Sequence, residues 1–334
     1  MSFNYKIFFF PILLTILFWQ ACDDPENNQF AKITFDKKAS MPGSGRASAV
    51  AFAVNGKGYV TLGRSNPDSK DTLTYLWEYN PDTDNWTKKA SFPGKSRAKG
   101  IAAVVNGKAY VGLGFAGRAV ITADFLSDFW CYDPLIDTWI RMAGFPGLDT
   151  DGCFSFVFGD RIYVGSGYSY LNMNKKLWSF EPGTNTWRQL NDLGASQRFG
   201  AVGCSDGFRA YYGTGFKAVN ENDWWEYNAV KDSWKQKRSM PDKGRVSGVA
   251  LSVSSRFFVT TGRYFNGKYN LINIGKTLND IWEYDPDKNK WHNRGEVPGG
   301  GRENAVSFVI GNKAYIGLGD NDSTVLNDMY SFEP

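Results

Sequence analysis

A single histidine, His292, occurs in the 334 residues. One imidazole cannot build a three-histidine zinc centre, a copper oxidase site or a histidine relay. Four cysteines are too few for a disulfide scaffold of this length. Neither sign of charge dominates. The formal net charge is +4 and no basic run or stripe points to nucleic acid. The apolar run at 7–19 is thirteen residues long, short of the roughly 20 that a spanning helix needs. No cofactor and no metal site is expected. Aromatic residues are plentiful at 16%, with 12 Trp, and Gly reaches 36. That excludes a disordered chain, which would lack the aromatics to bury a core.

The N-terminus reads as an address. Lys6 followed by the apolar run 7–19 suits a signal peptide. The run stops at Gln20-Ala21-Cys22, then Asp23-Asp24. A small residue before a cysteine resembles the bacterial lipoprotein box, with Trp19 standing where Leu is usual. The resemblance implies cleavage after residue 21, lipidation of Cys22 and anchoring in the outer membrane. The acidic pair resembles surface-export signals, so exposure at the cell surface is a further expectation. An ordinary secretory signal with an incidental cysteine is the alternative. Residues 22–31 then form the lipidated cysteine and a polar, flexible tether. Membrane contact is expected through the Cys22 lipid alone.

Residues 32–334 repeat. Trp77/Trp86, Trp130/Trp139, Trp178/Trp187, Trp225/Trp234 and Trp282/Trp291 are pairs nine residues apart. The second members are spaced by 53, 48, 47 and 57 residues, each enough for one four-stranded unit. Alternating aromatics in phrases such as LWEYN predict a strand, Asn/Asp-Pro a turn, and the second Trp the next strand. A recurrent Arg precedes a run of small and apolar residues, for example GIAAVV at 100–105. Asn106-Gly107 predicts a hairpin, and Gly-rich phrases such as AYVGLG at 109–114 close the second strand. The sixth unit is split. MYSFEP at 329–334 lacks its second-Trp strand, and ITFDKKASMP at 33–42 supplies one, with Phe35 aligned to Trp86. A strand missing at one end and left over at the other implies a closed ring with no exposed sheet edge.

These features resemble the kelch-repeat β-propeller family: the Arg, Asn-Gly-Lys, the Gly-rich phrase, Tyr-Asp-Pro and the final Trp. The implied fold is all-β, a six-bladed propeller of four-stranded blades closed by the N-terminal strand. Most units carry Gly-x-Gly where the family has two adjacent glycines. Galactose-oxidase-type relatives need two histidines at copper, so that activity is excluded. N-acetylneuraminate-epimerase-type relatives share phrases such as YIGLG, but the acids expected near the mouth, Glu221, Glu303 and Asp320, sit in no matching motif.

The long, varied segments 64–75, 115–128, 168–176, 216–223, 263–280 and 320–328 all join strands two and three, on one face. Variable loops on a rigid ring are where binding is expected. Directly after the Gly-rich phrases stand Arg64, Phe115, Tyr168, Phe216, Arg263 and Asp320. Unlike the tryptophans, they do not repeat. Aromatics can stack on a sugar and arginines can grip a carboxylate. With Lys99, Glu303, Arg118 and Tyr170 they form the candidate ligand site; no catalytic residue is assigned. Arg46, Arg97, Arg198, Arg245 and Arg302 recur in register, Thr150 replacing the sixth. They read as structural caps on loop carbonyls. Asp128, Asp223, Asp280 and Asp328 read as turn residues, and His292 as part of a turn beside Trp291. Cys131, Cys153 and Cys204 read as buried small hydrophobes, a Cys153–Cys204 disulfide remaining open.

The sequence favours a monomeric glycan- or polar-ligand-binding lipoprotein over an enzyme. A protein-interaction scaffold using the same loops and a sugar mutarotase or epimerase-like enzyme are the alternatives.

Overall fold

The computed structural model describes residues 1, 30–65, 73–117, 124–148, 150–169, 172–266 and 275–334. Cys22, Arg118 and Tyr170 lie outside them, as does nearly all of the signal and tether. Lys32–Pro334 forms one unit. Its described residues make six four-stranded antiparallel sheets, and no α-helix occurs among them. Blade two is typical: Ile101–Val105, Lys108–Gly112, Phe129–Asp133 and Thr138–Met142, from the axis outward. The innermost strands neighbour one another in a closed cycle, with Val306–Ile310 returning to Val50–Val54.

The pattern of side chains explains this shape. Along Val50–Val54, Val50, Phe52 and Val54 are buried toward blade two, while Ala51 and Ala53, half-buried, pack against the core of blade six. Small residues suit this second face, because it meets the large side chains of the preceding blade where the innermost strands crowd together. Asn55-Gly56 joins the first two strands with φ of 52° and 73°, the left-handed pair that a two-residue hairpin needs.

At four boundaries the second tryptophan staples neighbouring blades at the rim. Trp139 Nε1 donates to Ala90 O of the preceding blade at 2.9 Å, as Trp86 does to Ala39 O. Asp137, two residues before Trp139, accepts from the Tyr132 hydroxyl at 2.6 Å and from the Ala90 amide at 3.0 Å. This residue type at this turn is therefore structural.

The last blade closes as the split repeat predicts. Asp36–Lys38 pairs antiparallel with Met329–Ser331. Phe35 packs edge-on against Phe332 at 5.2 Å, in the place of the Tyr79–Trp86 pair. His292 differs from expectation: it lies within the outer strand Lys290–Glu296, opposite Glu283. Cys131, Cys153 and Cys204 are free thiols. Burial pushes the Cys153 thiol up to about 12.

Candidate functional site

Two closed circles of backbone hydrogen bonds knit the blades at the face where the innermost strands begin. In the first, the last glycine of each Gly-rich phrase donates to the carbonyl at the Arg position of the next blade. Gly63 to Arg97 begins it and Gly319 to Arg46 ends it. In the second, Ser48, Lys99, Gly152, Gly200, Ser247 and Asn304 each donate to their equivalent one blade back, at 2.9–3.4 Å. All six have left-handed φ, between 53° and 61°. For Lys99 that conformation costs about 1–2 kcal/mol, and the ring of bonds holds it there.

Against this ring, each residue after a Gly-rich phrase bridges to the residue after the repeated Arg. The pairs are Arg64–Ala47, Phe115–Ala98, Tyr168–Asp151, Phe216–Phe199, Arg263–Val246 and Asp320–Glu303. The six non-repeating positions thus share one register at the mouth. Three of the loops start from them as two-stranded ribbons, such as Tyr168–Ser169 with Asn172–Met173.

The mouth divides in two. One arc is aromatic. Phe115 meets Phe125 at 6.3 Å, Phe125 meets Tyr168 at 6.3 Å, and Tyr168 meets Phe199 at 5.9 Å. Phe199 then meets Phe216 at 5.9 Å, and Phe216 meets Phe265 at 5.5 Å. The other arc is charged. Arg263 donates to Glu303 at 2.7 Å and pairs with Asp322 at 2.8 Å. Arg64 donates to Gly117 O and lies 4.5 Å over the Phe115 ring. Lys99 lies 5.8 Å from the Phe199 ring centre, between the two arcs.

Two carboxyls are sunk in this mouth. Asp320 is 7% exposed, and burial pushes its pKa up to about 6 despite a 3.0 Å hydrogen bond from Asn304. Asp151 is 8% exposed and burial raises it too, with Lys99 and Arg64 pulling against the shift. Below them the channel holds ≈ 190 Å³, and its lining alternates small residues such as Ala51, Ala102 and Ser155 with larger ones such as Val50, Ile101 and Phe154.

Of the ten candidate residues, eight are described and all eight lie at the mouth. Phe216, Arg263 and Asp320 are buried rather than exposed loop residues. Asp151 was missed. Its register signal, one residue after the Arg position like Glu303, is masked by Thr150 in place of the Arg. Phe125, Phe199 and Phe265 carry no such signal, since they come from partner segments of the bridges and loops, and Asp322, which reads in sequence as part of a cation-type loop at 320–323, instead pairs with Arg263.

The repeated aspartates are corrected. Asp128, Asp223, Asp280 and Asp328 are not turn residues but bidentate partners of Arg97, Arg198, Arg245 and Arg302. The arginines also cap loop carbonyls, as Arg245 does at Thr261 O, 2.9 Å. Among the described residues, no cluster of three or more His, Cys, Asp or Glu could hold a metal ion.

No family model matches the sequence. N-acetylneuraminate epimerase of Escherichia coli O157:H7 is 27% identical over 109 residues, covering 33% of this chain and 28% of that protein. N-acetylneuraminate epimerase 1 of Escherichia coli O6:H1 is 32% identical over 105 residues, covering 31% and 26%. The protein of the same name from Pasteurella multocida is 32% identical over 90 residues, covering 27% and 24%. The matched stretches thus span about a quarter of the length of these curated relatives. The solved structure of YjhT superposes with a TM-score of 0.74 at 19% identity, covering 87% of this chain and 95% of that one. The chain is a kelch-type six-bladed propeller that resembles N-acetylneuraminate epimerase.

Proposed function

We propose that this propeller binds a small acidic sugar of the N-acetylneuraminate type at the channel mouth. The division of the mouth into an aromatic and a charged arc carries the proposal. A sugar ring offers an apolar C–H face to Tyr168 and Phe199, and its carboxylate suits Lys99 and Arg64. The local similarity to N-acetylneuraminate epimerases supports the same substrate class. We propose further that the protein is exported and anchored by a lipid on Cys22, so that the mouth meets sugars outside the inner membrane.

Calorimetry with N-acetylneuraminate tests the binding. Saturable binding is expected, and Lys99→Ala and Arg64→Ala should each weaken it about tenfold or more, the loss of one charge-assisted bond. Unchanged affinity in both variants sinks the assignment. Incorporation of radiolabelled palmitate in cells, abolished in Cys22→Ser, tests the anchor.

One observation favours turnover as a second reading. A carboxyl near pKa 6 beside cations is suited to general acid–base work on a sugar. Proton NMR of anomer or epimer exchange decides it. A partner protein captured by the loops, with no response to sugars, would instead support a scaffold.

A further inference from the structure

Blade three departs from its siblings at one place. In blades two, four, five and six, a buried Arg–Asp pair fills the space between the entry loop and the third strand. In three of these the aspartate also accepts the first tryptophan's indole N–H. The distances are 2.7 Å for Trp130–Asp128, 2.8 Å for Trp225–Asp223 and 2.6 Å for Trp282–Asp280. In blade three, Thr150 stands at the arginine position and Lys176 at the aspartate position. Thr150 is short and turns its hydroxyl to Tyr168 O at 3.1 Å.

A cavity of ≈ 340 Å³ occupies the vacated space, bounded by Phe145, Gly147, Val164, Lys176, Trp178 and Gln189. Trp178 keeps the indole of its siblings but has lost the carboxylate that would accept its proton. A Cβ built on Gly147 would lie 3.1 Å from Trp178 Nε1, so the glycine leaves that nitrogen open to the cavity. Lys176 gives one proton to Asp192 at 2.8 Å, which leaves two. Phe145 stands edge-on to Trp178 at 5.6 Å and makes the opposite wall apolar.

We propose that this cavity binds a small organic acid with an apolar body. The carboxylate takes the place of the missing aspartate, between Trp178 Nε1 and Lys176. The apolar body fills the space of the missing arginine, against Phe145 and Val164. An anion is favoured over a cation, because the position that carries the aspartate in the sibling blades carries Lys176 here. The volume falls within the roughly 300–1,000 Å³ of small-molecule pockets. None of these residues belongs to the mouth, so the site stands apart from the sugar proposal.

The test is a titration of the ¹⁵N-labelled protein with benzoate and with benzamide as its neutral counterpart. The Trp178 indole resonance, identified by its loss in Trp178→Phe, is followed. Benzoate should shift it saturably and benzamide should not. Lys176→Met, a change at an exposed side chain, should weaken benzoate about tenfold. Thr150→Arg combined with Lys176→Asp should refill the cavity and abolish the shift. No saturable shift with benzoate, an equal response to benzamide, or undiminished benzoate binding in Lys176→Met would each overturn the site.

Discussion

Arg97 and Asp128 face each other across blade two as a bidentate pair, Nη2 donating to Oδ2 at 2.8 Å and Nη1 to Oδ1, with the arginine side chain wholly buried. The pair ties the loop entering the innermost strand to the start of the third strand. Trp130 adds a third bond to the same carboxylate, at 2.7 Å. Burial alone would raise the Asp128 pKa, but the bonds from Arg97 and Trp130 hold it below its ordinary value.

Removing one partner leaves the other charge buried and alone. Asp128→Ala should therefore cost about 3–5 kcal/mol. Urea unfolding monitored by tryptophan fluorescence measures it. A loss below about 1 kcal/mol, the scale of a surface pair, would contradict this role.

Asp320 and Asp128 should respond to pH with opposite signs. Asp128 has a folded pKa below its unfolded value. Its contribution is present above the unfolded pKa and is lost as pH falls through the lower folded one. Asp320 is raised from 3.8 to about 6, so the folded state holds the proton more tightly. Stability then falls as pH rises between these two values and stays reduced above them. The penalty at neutral pH is at most about 3 kcal/mol. Asp320→Asn should remove it, raising the melting temperature at pH 7 more than at pH 4. Affinity for an anionic sugar should also fall as pH passes about 6 in the native protein but not in the variant. Identical pH profiles for the two would refute the assignment.

The rim tryptophans offer an internal control. Trp139 Nε1 bonds Ala90 O at 2.9 Å, whereas Trp234 Nε1 is buried with no partner among the described residues. At that blade boundary the Asn191 side chain bonds Asp232 O instead, at 2.9 Å. Trp139→Phe should lose about 1 kcal/mol for its hydrogen bond beyond any packing loss, and Trp234→Phe should not. Thermal denaturation of the two variants compares them; equal losses would count against the staple.

Closure of the ring rests on a short strand. Deleting residues 32–42 removes Asp36–Lys38 and the Phe35–Phe332 contact. The edge of Met329–Phe332 is then unpaired, and such edges aggregate. The shortened protein should melt lower and self-associate in size-exclusion chromatography. A monomer of unchanged melting temperature would exclude the closure as a stabilising element.

What repeats was legible in the sequence. Paired tryptophans, the Arg, the Gly-rich phrases and the split sixth unit define six blades, because each marks a position that meets the same neighbours in every blade. The register that brings Arg64 and Asp320 to one mouth follows from the same phrases. The partners of those residues did not follow. Arg97 and Asp128 are 31 residues apart, and periodicity records that both recur without recording that they touch. Asp151 is disguised by the loss of its flanking Arg. Phe125 and Phe265 come from loops of unequal length, whose side chains are aligned only once the ribbons fold over the ring. The raised pKa of Asp320 comes from its burial in the folded ring, and the cavity at Trp178 from two substitutions, Thr150 and Lys176, that meet only in space. Positions that vary from blade to blade take their character from neighbours in other segments, and those neighbours are chosen by closure of the ring.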